Sequence, residues 1–415
     1  MVRERYETMW ANLRSGNWVN EQRLKVYPLT LLVGSALVIM AMIALKHDRL
    51  GPDDRPLGTD FSQVWIAGLE TLRGHPEEPF DLVRHISEQR SEFGERSAVY
   101  GWPYPPYFLA LAELLARLPY LQALLVWQLA TLVLYLAVIA AITRDSGLDR
   151  SRILIAALAF PAVLVNLGHG QNGFLTAALL GGGFLLLQHR PILSGTLFAL
   201  LAYKPQFGLV IPAALIAGRH WRALGSAVVT LALMTLASIA AFGLKSWIAF
   251  WKSLALTRAL FEQGATGFEK MQSVFAGVRL IGGDVETAYA AQAAVILLTL
   301  AAVILLWRSR ADRRAISAAT IMATLLTTPY CFDYDMVMLG PAIAFLTAQG
   351  VEKGFGRYEK SALVLVFAVP LFARPVAMLL PLPIGVMSIM LVFALTAYTA
   401  WRDNRLPAAS TLATP

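Results

Sequence analysis

The chain has 415 residues, 57% of them hydrophobic and only 15% charged, with a mean hydropathy of +0.57. That is too little charge to cover a soluble protein of this length. The net charge of +8 sits between hydrophobic runs, as juxtamembrane charge does, which excludes nucleic acid as the expected partner. The single cysteine, Cys331, excludes an intramolecular disulfide and a cysteine-based metal site.

Runs at 27–45, 121–142, 223–243 and 288–307 approach or exceed the ~20 apolar residues that cross a bilayer as helix. The fold class is therefore all-α, a polytopic membrane protein. Residues 1–26 are polar and amphipathic, and no A-x-A-like site follows the first run, so that run is a span and not a cleavable signal peptide. After it comes a polar insert, 46–103, which holds eleven of the twenty-seven acids against seven basic residues. Near its start is Gly58-Thr59-Asp60. Phe61, Val64, Trp65, Gly68, Leu69 and Leu72 then recur at helical spacing, and Phe80, Val83, Ile86 and Phe93 sketch a second stripe. Two amphipathic helices along the membrane surface are expected from these patterns.

Residues 104–118, opened by Tyr104-Pro105-Pro106, read as a short re-entrant or partial helix. The remaining spans are 121–142, 153–166, 173–189, 191–203, 205–218, 223–243, 288–307, 314–328, 336–348, 361–373 and 383–401. With the first run that makes about twelve transmembrane helices, or thirteen if 104–118 crosses. A reversal is expected at Tyr203-Lys204-Pro205, where proline removes a helical hydrogen bond and a mid-bilayer lysine would be costly. Residues 244–287 form a second outer loop with Trp247, Phe250, Trp251 and Phe261 as interfacial anchors. The tail, 402–415, is Ala/Thr/Pro-rich from Leu406 and is expected to be disordered.

Short loops rich in Lys and Arg stay in the cytoplasm. Placing Arg144, Arg150, Arg152, Arg219, Arg222, the cluster Arg308 to Arg314, Lys353, Arg357 and Lys360 there fixes nearly every span and puts both termini inside. Every polar motif then reaches the other side: Asp60, Tyr104-Pro105-Pro106, Gly168-His169-Gly170-Gln171-Asn172, Lys204-Pro205-Gln206 and Thr328-Pro329-Tyr330-Cys331-Phe332-Asp333-Tyr334-Asp335. The basic loops and the polar motifs are independent features of the chain, so their convergence points to one extracytoplasmic active site.

This ordered set resembles the membrane-embedded glycosyltransferases of the GT-C superfold. Among them it is most similar to the polyprenol-phosphate-mannose-dependent α-mannosyltransferases, glycosyltransferase family 87, from about residue 30 to 400. The resemblance implies a sugar donor on a polyprenyl phosphate, an inverting transfer to a glycolipid, glycan or protein hydroxyl, and a site on the extracytoplasmic face of the cell (inner) membrane. It also implies that Asp60 occupies the catalytic-base position. At Asp333-Tyr334-Asp335 the chain departs from a branch of the family that often carries histidines.

Each residue also has a structural reading. Asp60 is either a base that deprotonates the acceptor hydroxyl or a cap on the helix that follows. Lys204, with Gln206 beside it, either meets the donor phosphate or snorkels to the interface. His169 and Gln171 stand in a glycine-bracketed turn that either approaches the donor or merely joins two helices. Tyr104 sets the geometry of the partial helix and lines the site. Asp333 and Asp335 either complement a helix N-terminus or, with Tyr334, bind acceptor hydroxyls. Arg374, ahead of Pro375, is a spare donor-phosphate contact. No cofactor is expected, since one histidine and two distant acids fall short of a metal signature. The rival functions are a lipid-linked-glycan flippase or secondary transporter and an assembly subunit. The first usually shows related halves, which this chain lacks.

Overall fold

Helix formation follows the apolar runs throughout the computed structural model, which describes residues 2–46, 50 and 55–405. The tail expected to be disordered from Leu406 lies outside the described residues. Among the described residues there is no strand, only isolated bridges between Leu50 and Pro56 and between Met271 and Phe332. In chain order the helices are α1 (Val2–Ser15), α2 (Glu21–Ala44), α3 (Phe61–Leu72), α4 (Leu82–Phe93), α5 (Leu109–Ala116) and α6 (Tyr120–Ile142). Then come α7 (Arg150–Ala159), α8 (Pro161–His169), α9 (Gly173–Leu186), α10 (Pro191–Leu200), α11 (Val210–Ala217) and α12 (Trp221–Glu262). The last are α13 (Val274–Leu280), α14 (Val285–Arg308), α15 (Arg313–Leu326), α16 (Leu339–Lys353), α17 (Glu359–Leu379) and α18 (Ile384–Arg405).

Among the described residues six helices, α2, α6, α12, α14, α17 and α18, are long and apolar enough to cross a membrane, or seven if α7 and α8, bent by 54°, form one span. Their outward leucines and valines, such as Leu37, Leu233, Leu236, Leu297 and Leu298, are exposed. A bilayer solvates such side chains and water does not. The chain is a membrane protein. Several other expected spans are shorter helices in the interior. α9 is buried along most of its length, and α15 is buried from Ala315 to Leu326.

The insert forms two helices where the stripes place them. α3 is buried nearly all round, Ser62, Gln63 and Glu70 included, because α5 lies directly on it. The contact depends on Gly68, where a Cβ would come within 2.1 Å of the Ala112 carbonyl oxygen. α5 has eight residues, about 12 Å at 1.5 Å per residue, against a hydrocarbon core of ~30 Å. It is a partial helix. Glu70 Oε2 and His85 Nδ1, 2.8 Å apart and both buried, tie α3 to α4. Burial raises the Glu70 carboxyl above the ordinary range, and the His85 hydrogen bond opposes the shift.

Residues 244–287 are mostly helical. α12 runs on to Glu262 through a break at Gly243, whose φ of 77° is open to glycine and strained for other residues. α13 follows, and α14 starts at Val285.

The two ends of the bundle differ in chemistry. At one end Arg152 bonds Glu21 at 3.0 Å, Arg314 bonds Glu352, and Lys353 meets Asp312 at 2.6 Å. α1 docks there on the start of α17, where Trp18 Nε1 donates to Ser361 Oγ. Arg313, Trp307 and His220 pack at the same end. α10 and α11 both have their outer termini here: Gly195 lies against Ala223 at the start of α12, and Gly218 lies against Trp307. The break between them at Lys204 reaches the opposite end, where it meets Asp335. The basic loops and the polar motifs are thus segregated.

Candidate functional site

Asp60 stands at the N-cap position of α3, but its side chain makes no capping hydrogen bond. Gln171 Nε2 instead donates to Asp60 Oδ2 at 2.8 Å. The capping explanation for Asp60 therefore fails on geometry, and the carboxylate is directed across to the turn after α8. That turn approaches because residue 170 is glycine. Gly170 adopts φ 63°, and a Cβ there would sit 2.6 Å from the Gly58 carbonyl oxygen and 2.7 Å from the Phe61 Cβ. Trp127 Nε1 donates to the Gly170 carbonyl at 3.1 Å, while Asn166 donates to the Gln171 carbonyl and accepts from the Gly173 N–H.

The Gln171 amide is oriented by its neighbours. Its Oε1 accepts from the Tyr104 hydroxyl at 3.3 Å and the Asn172 N–H at 3.1 Å, so the amide nitrogen must face Asp60. Asn172 Nδ2 in turn donates to the Tyr104 hydroxyl at 2.9 Å. The result is a polarised chain, Asn172 to Tyr104 to Gln171 to Asp60, in which each donor strengthens the next. His169 flanks Asp60 on the other side, with Nδ1 3.0 Å from Thr59 Oγ1 and 3.9 Å from Asp60 Oδ1. The Asp60 side chain keeps 14% of its surface exposed and His169 keeps 22%, so the pair is reachable.

Lys204 occupies the break between two 3-10 turns, with Tyr203 before it and Pro205 after. It is 4% exposed, and its Nζ lies 2.6 Å from Asp335 Oδ1, itself 1% exposed. Neither a snorkelling nor a free phosphate-binding lysine describes this arrangement, because the charge is buried and already matched. The rings of Tyr334 and Phe207 lie 5.0 and 5.6 Å from the ammonium. Asp335 Oδ2 accepts the Phe332 N–H at 3.0 Å, which is the helix-start role the sequence offered as its alternative. Gln206 is half-buried in the following turn and takes no part in these bonds.

Asp333 accepts the Tyr334 N–H at 2.9 Å, and its Oδ2 lies 3.8 Å from Arg374 Nη1. Burial raises the Asp333 carboxyl above its ordinary range, opposed by the charges of His169 and Arg374. Arg374, with 32% of its side chain exposed, is only loosely held. Tyr334 packs edge-on to the His169 ring at 5.7 Å. The structure thus gathers Asp60, Tyr104, His169, Gln171, Lys204, Asp333, Tyr334, Asp335 and Arg374 at one end of the bundle. Among the described residues, no three His, Cys, Asp or Glu side chains are grouped to hold a metal ion.

Sequence reasoning missed Asn166 and Trp127, which sit inside apolar runs and brace the turn from behind. A lone asparagine at the end of a hydrophobic run was the available signal.

A reachable carboxylate with one oxygen held by an amide and the other beside a histidine suits proton abstraction from a hydroxyl. The sequence model of glycosyltransferase family 87 matches residues 102–329, more than half of the chain. No curated protein matches, and no solved structure does. The matched stretch contains Tyr104, His169, Gln171, Lys204 and Gln206. Asp60 precedes it, and Asp333, Tyr334, Asp335 and Arg374 follow it.

Proposed function

The chain belongs to glycosyltransferase family 87, and from that premise we propose that it moves a hexose, mannose first, from a polyprenyl phosphate to a glycolipid or glycan hydroxyl. The observation that carries the reading is Asp60, a carboxylate free of helix capping and aimed by Gln171. Asp60 takes the acceptor hydroxyl proton as the oxygen attacks the anomeric carbon. The bond from that carbon to the phosphate oxygen breaks on the opposite face, its electron pair leaves on polyprenyl phosphate, and the configuration inverts.

The leaving phosphate needs cationic compensation. Lys204 has its charge spent on Asp335, so the loosely held Arg374, with His169 nearby, takes that role. The planar guanidinium suits a phosphate because it offers paired donors. Asp333, Tyr334 and Tyr104 line the acceptor side. By the positive-inside rule the basic end faces the cytoplasm, with both termini, and Asp60 faces outward across the cell membrane.

The test is to incubate purified protein with a panel of polyprenyl-phosphate sugars and glycolipid acceptors and to follow release of polyprenyl phosphate. Release with one donor is expected, with Arg374→Ala raising its apparent KM. Absence of release from every donor, together with net movement of a lipid-linked sugar across a vesicle membrane, would favour the transporter reading.

A further inference from the structure

Beyond the residues around Asp60, a line of half-buried aromatic rings leads away along the same end of the molecule. Phe332 stacks on Tyr334 at 5.3 Å, with the rings 9° from parallel. Phe261, at the end of α12, lies 5.9 Å from the Phe332 ring and 4.9 Å from the Tyr330 ring. The Tyr330 hydroxyl is 3.3 Å from the Tyr289 hydroxyl, on α14. Glu262 follows Phe261 directly. Its Oε1 receives both the Tyr289 hydroxyl at 2.8 Å and Arg258 Nε at 2.6 Å, and among the described residues no hydrogen bond engages Oε2. Phe261, Glu262, Tyr289, Tyr330 and Phe332 are all half-buried, and Arg258 is exposed.

None of this is needed for proton abstraction or for compensating the phosphate. Aromatic faces bordered by an oriented carboxylate, an arginine and two phenol hydroxyls match a pyranose ring. Such a ring offers an apolar C–H face for stacking and a rim of hydroxyls for charged acceptors and donors. A polyprenyl tail fits worse, because it would press the Glu262–Arg258 ion pair against hydrocarbon and offer nothing to the second carboxylate oxygen. Resting on the glycosyltransferase reading, we propose that Phe261, Glu262, Tyr330 and Phe332 form an acceptor subsite. It holds a sugar unit of an oligosaccharide beyond the unit whose hydroxyl reacts at Asp60. The enzyme is then a glycan extender that prefers acceptors of more than one sugar.

The probes are alkyl glycosides carrying one, two and three hexose units, measured by calorimetric binding to the purified protein and by turnover with the donor at saturation. Phe261→Leu keeps apolar bulk and removes the ring face, and Glu262→Gln keeps shape and removes charge. Wild type is expected to bind the longer glycosides more tightly than the one-unit glycoside. Each variant should lose about tenfold of that gain, the upper range for an aromatic contact and the order for a charge-assisted hydrogen bond. Their one-unit KM and donor KM should be unchanged. Equal binding of all three glycosides by wild type, or a length preference intact in both variants, overturns the subsite. A variant that loses donor affinity in place of length preference assigns the patch to the polyprenyl tail and also overturns it. Because binding is read without turnover, a protein that binds the glycosides but transfers no sugar refutes the reaction and leaves the subsite standing.

Discussion

Replacing Asp60 with asparagine is expected to lower turnover by about 10²–10⁴-fold, the usual worth of a general base. Asparagine keeps the shape and an acceptor oxygen for Gln171 Nε2, so the chain from Asn172 through Tyr104 and Gln171 survives the change. What it loses is the capacity to take a proton. The loss should appear in kcat and kcat/KM together, with donor KM nearly unchanged, because a base acts on the transition state. Since the Asp60 side chain makes no capping bond, folding should not suffer, and the melting temperature serves as the control. A variant that melts like wild type and turns over within about tenfold of it lacks the expected deficit, and the base would have to be sought elsewhere. His169 and Asp333 are the neighbours to try first.

The sequence made the helical membrane class and the convergence of the motifs legible because both depend on pattern alone. Lys/Arg-rich loops place one end, and apolar run lengths place what lies between. Gly170 shows what pattern can suggest without deciding. A glycine-bracketed turn hinted at close approach, but only packing reveals that Gly58 and Phe61 are what it approaches. Asp60 illustrates the same limit. An aspartate before a helix is indistinguishable in sequence from a cap, and the decision lies in whether its oxygen meets its own helix or Gln171. The short interior helices blurred the span list for a related reason. Runs such as 191–203 are apolar because protein surrounds them as well as lipid, and hydropathy does not separate the two solvents. Lys204 was the least readable. Its partner is 131 positions away, and a lysine beside a proline carries no signature of a buried ion pair.

That pair sets the second large effect. Lys204→Met should destabilise the folded protein by about 3–5 kcal/mol, because it strands the Asp335 carboxylate in a buried site with no cation. Asp335→Asn alone should be comparably damaging, since it strands the ammonium. The double variant Lys204→Met/Asp335→Asn leaves neither charge, and the new asparagine still offers an oxygen to the Phe332 N–H. It should therefore recover most of the lost stability, as buried pairs often do when both members go. Thermal melting of the four proteins in lipid nanodiscs, followed by tryptophan fluorescence, measures the coupling as a double-mutant cycle. Single variants that melt with the wild type would show that the ion pair does not hold the break between α10 and α11. The double variant also separates the two roles weighed for Lys204. If the pair is a neutral wall of the site, a folded double variant keeps its donor KM. If the lysine leaves Asp335 to meet the phosphate during turnover, the double variant melts normally yet binds donor weakly. Arg374 would then share the phosphate rather than carry it.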